Sequence, residues 1–534
     1  MASKSIPAPL LAYYQENIAV SLVAIMGGLL VLASVCNSRR MRNCKPTNGK
    51  SLPSLPPAGP SLFEFLSYMK AQNQEAANIK YGDFFTVPSP LPGIIPTQVW
   101  INDPAVVKYL TVACANMYRP PSTFTTRDEN FQYATQTVVG VGVTGLVGEE
   151  WRWRKTALLK SFRKSNMISD GRGLLGKIVE EGEVLCDALG KAADRDEVVA
   201  VDLLCTKAAV GVVLYFLFGR DLEFDPEKLR DAAGTLMECL GYMFMTPLFR
   251  LRRRIPGTEP YRMHQQKLEA WRVTDSVVAA EIQRLLDEHS GVVQVHPDRK
   301  PGSVMEMLIA NEPRFREGGV ESMIAEARVF VQAGFETTAH SLAFSMGMMA
   351  ERPDLADKMS ALGQNLLKGD YYNVEKVRQA VDGASIVKNF FLESVRLYPL
   401  APALGGLCKD DIVIRTGKVN GAMEYMLPKG TSVFFPNLLL QRHVERPDEI
   451  DPSRWEVESK GDEPFLHTFQ NGAHACPGKP LSMLEGHVFL LLAVTQFEFF
   501  FADSTVTTVQ YEDNLLLRPK DGMPLRVKRR KALS

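Results

Sequence analysis

The chain of 534 residues has no excess of either charge: Lys plus Arg number 61, and so do Asp plus Glu. A nucleic-acid partner usually leaves a basic surplus, so that class of function is excluded. The eight cysteines include no CxxC pair, which removes disulfide frameworks and zinc modules. No GxxxxGKS/T loop occurs, which removes the common ATP cradle. No repeat period runs through the sequence. The composition, 46% hydrophobic and 23% charged, excludes disorder, collagen and coiled coil for the bulk of the chain. What remains is a reduced, intracellular, globular enzyme.

Two glycine patterns, Gly140-Val-Gly142-Val-Thr-Gly145 and Gly171-Arg-Gly173-Leu-Leu-Gly176, match GxGxxG. A dinucleotide fingerprint needs a strand before it, a helix after it, and a second strand ending in an acid about 20 residues on. The first pattern follows a plausible strand, Thr135–Val139, and precedes a helix starting near Glu149. Its continuation, Ser165–Asp170, holds no apolar strand to carry the acid. The second follows a basic, polar segment. Neither is read as a nicotinamide site.

Near the start the chain changes character. Ile18 to Cys36 is a run of 19 uncharged residues, which as a helix of about 28 Å nearly spans a ~30 Å hydrocarbon core. Arg39, Arg40, Arg42 and Lys45 follow it, whereas Lys4 is the one cation before it. The positive-inside rule then places the rest of the chain in the cytoplasm. A cleaved signal peptide is the rival reading, but the run is long and the charge lies on the wrong side. Pro53, Pro56, Pro57 and Pro60 make a stiff, extended spacer next. The expected organisation is an anchor and basic flank over 1–45, with the transmembrane helix at 18–36. A proline-rich hinge over 46–62 and one body over 63–534 follow.

The body reads as mainly α with a smaller β region. Amphipathic stretches lie near 172–196, 265–288, 320–350 and 386–398. Strand-like runs appear at Phe84–Val87, Val99–Ile101, Ile412–Ile414 and Ser432–Phe435.

The strongest local signal is Phe469-Gln-Asn-Gly472-Ala-His474-Ala-Cys476-Pro-Gly478. Glycines let backbone and a flat ligand approach each other. Amide N–H groups in such a loop can point at the sulfur, and Leu481–Phe489 is helical, so the sulfur sits just before a helix N-terminus. On residue chemistry alone this is a thiolate metal ligand with a planar partner, against a buried inert cysteine.

This segment resembles the haem-binding loop of cytochromes P450, F-x-x-G-x-H/R-x-C-x-G, at Phe469, Gly472, His474, Cys476 and Gly478. In that family a Cys thiolate ligates haem iron and favours O–O cleavage. Three further segments resemble family motifs in the family's order. Glu149-Glu-Trp151-Arg-Trp-Arg154-Lys155 is similar to W-x-x-x-R/K, which contacts a haem propionate, with Lys155 aligned and Arg154 adjacent. Ala333-Gly-Phe-Glu336-Thr337-Thr338 is similar to the acid–threonine pair of the helix that crosses the distal haem face. There a Thr hydroxyl can bond back to the i−4 carbonyl and widen the helix. Glu393-Ser-Val-Arg396 is similar to ExxR, with Arg454 of Asp451-Pro-Ser-Arg454-Trp455 as third member. A buried Arg needs more than one partner.

The resemblance implies a cytochrome P450 fold preceded by one transmembrane helix, with haem b as cofactor. It implies Cys476 as axial iron ligand and Glu336 and Thr337 as the proton-delivering pair. Trp151, Arg154, Lys155, Arg396, Phe469, Gly472, His474 and Gly478 are expected at the cofactor, and Glu393, Arg396 and Arg454 form a structural triad. The implied activity is insertion of one oxygen atom of O2 into a lipophilic substrate of the sterol, fatty acid or terpenoid class. With no flavin motif in the chain, electrons come from NADPH through a separate cytochrome P450 reductase, with cytochrome b5 as an optional donor. The expected location is the endoplasmic reticulum membrane, single-pass, with the catalytic domain cytosolic. Arg250, Arg252, Arg253 and Arg254 after Met243–Phe249 offer a second contact to anionic headgroups. Two rivals remain, a reductase-independent haem-thiolate isomerase or dehydratase, and a non-catalytic haem-binding protein.

Three positions depart from the family pattern. His474 stands where many members carry Arg, and it is titratable. Ala401–Cys408 lacks an arginine often found there, and Thr468 stands where Pro commonly precedes the motif Phe.

Overall fold

The computed structural model of the chain describes residues 71–87, 97–115, 122–163, 167, 173–245, 252–290, 303–416, 423–456, 464–513 and 515–531. The expected anchor, its basic flank, the hinge and residues 246–251 lie outside the described residues. Among the described residues, one helix is long and apolar enough to cross a membrane, Val201–Phe218, and it is mostly buried inside the body.

The helices that build the body are α1 (Glu129–Val139), α2 (Gly148–Ser161), α3 (Leu174–Asp194), α4 (Val201–Phe218), α5 (Pro226–Met245), α6 (Glu259–His289), α7 (Gly319–Glu351), α8 (Ser385–Leu397) and α9 (Lys479–Gln496). The amphipathic stretches read from the sequence correspond to α3, α6, α7 and α8. Helix α7 is the axis: it packs along α4 and also meets α6, α8 and α9. Val329–Val331 and Phe344–Met349 are buried, as their composition predicts. Fully buried Phe344, Phe390 and Phe391 belong to the main core, each stabilising by roughly 1.5–3 kcal/mol.

Thr135–Val139 corrects the sequence reading, because it is the end of α1 and not a strand. Four of its five residues are β-branched, which favours a strand locally. Burial of Ala134, Thr135 and Val138 on one helical face outweighs that preference. The helix is delimited by Asp128, whose carboxylate accepts from the Phe131 N–H at 2.8 Å, and by Gly140 at φ 94°. A Cβ on Gly140 would lie 2.8 Å from Ala325 Cβ. The first GxGxxG is therefore a helix exit packed against α7, with no strand before it.

A five-stranded sheet uses β1 (Phe84–Val87), β2 (Gln98–Ile101), β3 (Phe124–Thr125), β4 (Ala403–Cys408) and β5 (Ser432–Pro436), in the order β1-β2-β5-β4-β3. Only β2–β5 is parallel. A hairpin of Ile412–Thr416 and Met423–Leu427, a second of Tyr511–Asp513 and Leu517–Pro519, and a three-stranded sheet including Pro524–Arg529 complete the β region. The fold is mainly helical with a small β portion.

Candidate active site

The segment Phe469–Gly478 is a tight loop between the core and α9. The Cys476 N–H donates to the Phe469 carbonyl at 2.8 Å and closes it. Gln470 at φ 56° and Gly472 at φ 70° turn the chain. A Cβ on Gly472 would lie 2.2 Å from the Thr111 carbonyl oxygen, so only glycine lets the loop pass this close to the segment Tyr109–Cys114. Burial pushes the Cys476 thiol up, while the Gly478 and Lys479 amides and the Lys155 and Lys479 cations pull it back. Cys476 is nevertheless exposed, whereas the other described cysteines are buried. A thiol that is both desolvated and exposed faces a recess inside the body, away from bulk water.

Three nitrogen bases gather beside this loop around the ring of Trp151. Lys155 donates to the carbonyls of Ala473 and Ala475 at 2.6 and 2.7 Å, tying α2 to the loop. The His474 ring lies 4.7 Å from Trp151, and the Arg127 guanidinium 5.8 Å above it. Arg127 donates to Val143 and Leu146 carbonyls at 2.6 and 3.0 Å. Burial pushes Arg127 down to about 10. Burial and the charge of Arg127 push Lys155 down to about 8. Burial and both cations push His474 to about 3. His474 is thus neutral here and does not titrate near neutrality, unlike an ordinary histidine. Its Nδ1 is buried without a partner. The Glu326 carboxylate offsets part of this for Arg127 and the Cys476 thiol part of it for Lys155, and a further negative group among the three would favour the charged form of each.

The sequence left Arg154 and Lys155 as alternatives, and the structure separates them. Arg154 turns to α7, bonding Glu326 at 3.1 Å, Glu150 at 3.1 Å and Ser322 at 3.0 Å. Lys155 stays with the loop. Arg127 carries no motif, and only its place in the fold reveals it.

On α7, Glu336 and Thr338 are buried and Thr337 is half-buried. The Thr337 hydroxyl donates to the Ala333 carbonyl at 2.7 Å, the expected i−4 bond, and the segment stays α-helical without a break. Ala333 is exposed although it lies within a buried stretch of α7, so Ala333 and Thr337, one turn apart, also face a recess. The Thr338 hydroxyl lies 3.4 Å from Ser482 Oγ on the first turn of α9. That contact brings the acid–threonine segment close to the helix that follows Cys476.

Glu393 and Arg396 are fully buried and paired at 2.7 and 2.9 Å. Arg454 Nε donates to Glu393 at 3.1 Å, Trp455 Nε1 at 3.0 Å, and the Asp451 amide at 3.1 Å. The remaining Arg396 donors meet the carbonyls of Gln441, Pro447 and Glu449 at 3.2, 2.7 and 3.2 Å. All five Arg396 N–H groups are thus taken within the cluster. Thr468 shows what replaces the usual proline: its hydroxyl donates to the Val395 carbonyl at 2.7 Å, one of the α8 C-terminal carbonyls without an intrahelical partner. β4 carries no cation, whereas Arg127 stands over the Trp151 ring beside the loop.

The exposed sulfur, the unpartnered His474 Nδ1 and the cation cluster suit a flat dianionic metal macrocycle, so the residues present fit haem. The family model for Cytochrome P450 matches residues 53–526. The chain is 23% identical over 451 residues to Cytochrome P450 3A16 of Mus musculus, covering 83% of this chain and 84% of that protein. It is 23% identical over 397 residues to Cytochrome P450 3A6 of Oryctolagus cuniculus, covering 71% and 74%. It is also 23% identical over 400 residues to Cytochrome P450 6a8 of Drosophila melanogaster, covering 72% and 75%.

Proposed function

The chain belongs to the cytochrome P450 family, and from that premise we propose a microsomal lipid monooxygenase with Cys476 as its iron ligand. It is a haem-thiolate monooxygenase with haem b as cofactor. Bound haem supplies the activation of O2 that places one oxygen atom in the substrate, using two electrons and two protons.

The observation that carries the site assignment is the desolvated yet exposed Cys476 beside Arg127, Lys155 and His474. In this reading the Cys476 sulfur, steadied by the Gly478 and Lys479 amides, binds iron. Lys155, Arg127 and His474, with Trp151 between them, hold the propionates. Phe469, Gly472 and Gly478 shape the loop. Glu336 takes protons from within the protein, and the Thr337 hydroxyl passes them into the recess. Retention of this pair stands against the reductase-independent isomerase and the passive haem carrier.

Electrons enter from a diflavin NADPH–cytochrome P450 reductase, with cytochrome b5 as an optional donor, since the chain has no flavin or nicotinamide motif. The substrate is lipophilic, of the sterol, fatty acid or terpenoid class. The domain assignment is an anchor over 1–45, a hinge over 46–62 and a catalytic body over 63–534, held cytosolic on the endoplasmic reticulum. Deleting residues 1–45 is expected to release folded, haem-loaded protein from membranes, checked by fractionation with haem absorbance. Protease protection of the body in sealed microsomes would contradict the orientation.

Thr337→Ala is expected to keep haem, the carbon-monoxide spectrum and substrate binding. It should divert NADPH electrons to hydrogen peroxide and cut product per NADPH, because positioned proton transfer contributes ~10²–10⁴-fold. Thr338→Ala is the control, since that hydroxyl is turned to Ser482. Equal coupling in Thr337→Ala and wild type would place the proton route elsewhere. Supplying hydrogen peroxide directly should restore product if the defect lies in proton delivery, but not if the pocket is damaged.

A further inference from the structure

A row of buried charge runs from the first turn of α4 to the acid on α7. Asp202 Oδ1 lies 2.7 Å from His340 Nδ1. His340 Nε2 lies 3.7 Å from Glu336 Oε1, one helical turn away on the same helix. Arg518, reaching in from the strand Leu517–Pro519, donates to Glu336 Oε1 at 3.1 Å. His340 and Glu336 side chains are 5% and 4% exposed, while those of Asp202 and Arg518 reach 12% and 23%. The row is therefore closed at its centre and touches solvent at both ends.

We propose that His340, oriented by Asp202, is the group that recharges Glu336 with protons. The inference rests on the reading of Glu336 and Thr337 given above. Asp202 holds the Nδ1 side of the ring, which fixes the imidazole and aims Nε2 at Glu336. An ion pair kept only for stability satisfies its buried atoms. Here His340 Nε2 and Glu336 Oε2 have no hydrogen-bond partner, and the 3.7 Å gap is just beyond bonding distance. A rotamer adjustment of under about 1 Å closes it.

The step balances simply. When Glu336 has given its proton toward Thr337, the imidazolium Nε2–H passes to Glu336 Oε1. This leaves a neutral acid and a neutral imidazole whose Nδ1–H stays on Asp202. The lone pair left on Nε2 is buried, so the ring is recharged when it pivots on its Nδ1–H bond to Asp202, away from Glu336, and Nε2 takes a proton from water. Burial alone would lower the imidazole, but Asp202 and Glu336 outweigh it and raise His340 to about 9. The groups facing it are Asp202 from α4, Glu336 on its own helix, and Arg518 through Glu336. Asp202 is 138 residues from His340 in sequence, so only the fold pairs them.

The test uses holoenzyme with diflavin reductase, NADPH and a mixture of sterols, fatty acids and terpenoids. Hydrogen peroxide released per NADPH is measured from pH 6.5 to 10 in wild type, His340→Gln, Asp202→Asn and Glu336→Gln. Gln keeps a donor for Asp202 but cannot carry a proton. Wild type should release more peroxide as pH rises through about 9, where His340 loses its proton. His340→Gln should do so at every pH, with product per NADPH falling roughly tenfold or more. Asp202→Asn should move the rise to lower pH.

A readout independent of turnover is the melting temperature. A group raised from an ordinary ~6.5 to about 9 in the folded state contributes stability that is fully present below ~6.5 and lost as pH passes about 9. The melting-temperature gap between wild type and His340→Gln should therefore narrow over that window. If His340→Gln matches wild type while Glu336→Gln releases peroxide, the relay is wrong and the Glu336 reading stands. If Glu336→Gln also matches wild type, the reading beneath it fails. Should His340→Gln lose haem, the unshifted pH profile of Asp202→Asn would by itself overturn the relay.

Discussion

Replacing Cys476 with alanine is expected to abolish the red-shifted absorption of the reduced, carbon-monoxide-bound protein while leaving the helical fold in place. A thiolate opposite carbon monoxide produces that shift, and no other described cysteine can supply one. Cys114, Cys186, Cys205, Cys239 and Cys408 are buried. Burial drives Cys186, Cys239 and Cys408 up to about 12, 11 and 12, and it raises Cys205 well above an ordinary thiol, so they are inert thiols. At Cys476 the Gly478 and Lys479 amides and two lysines oppose the cost of burial. Replacing any one of the other seven cysteines should leave the band intact. The check is the difference spectrum at matched protein concentration, with circular dichroism to confirm folding. A normal band in Cys476→Ala would end the haem-thiolate assignment at this residue.

Arg396→Ala should nearly eliminate holoprotein. It strands Glu393, fully buried, with Arg454 at 3.1 Å as its remaining cation. Three backbone carbonyls from the stretch 441–449 also lose their donors. Breaking a buried pair from one side costs ~3–5 kcal/mol, against ~5–15 kcal/mol of typical net stability. The loop that presents Cys476 rests on the same helix through Thr468 and the Val395 carbonyl, so loss of the cluster should also loosen the haem site. Arg396→Lys should rescue little, because an ammonium cannot reproduce a two-pronged fork. Glu336→Ala, by contrast, should retain haem. The measurement is the ratio of carbon-monoxide-binding protein to total protein on immunoblot. A normal ratio in Arg396→Ala would refute the structural role.

Where residues share a local frame, the sequence was legible. Cys476 and its glycines lie within ten residues, Glu393 and Arg396 within one helical turn, and strand Phe84–Val87 is a short aromatic and β-branched run that follows Gly82 closely. Helix α4 was missed because it is surrounded by protein, so it has no polar face and hence no helical period to read. The segment Thr135–Val139 was misread because its β-branched side chains speak for a strand, although Asp128 and Gly140 already mark a helix start and stop. Arg127 and the Asp202–His340 pair were illegible for another reason. Their partners come from distant segments, and nothing near them in sequence distinguishes them from surface charge.

The most direct test of the account is turnover under ¹⁸O2. The full-length holoenzyme, a diflavin reductase and NADPH are combined with sterols, fatty acids and terpenoids, and the products are read by mass spectrometry. The account predicts a product carrying one ¹⁸O atom, formed only with NADPH and lost in Cys476→Ala. A product that takes its oxygen from water, or that forms equally well without reductase, would contradict it.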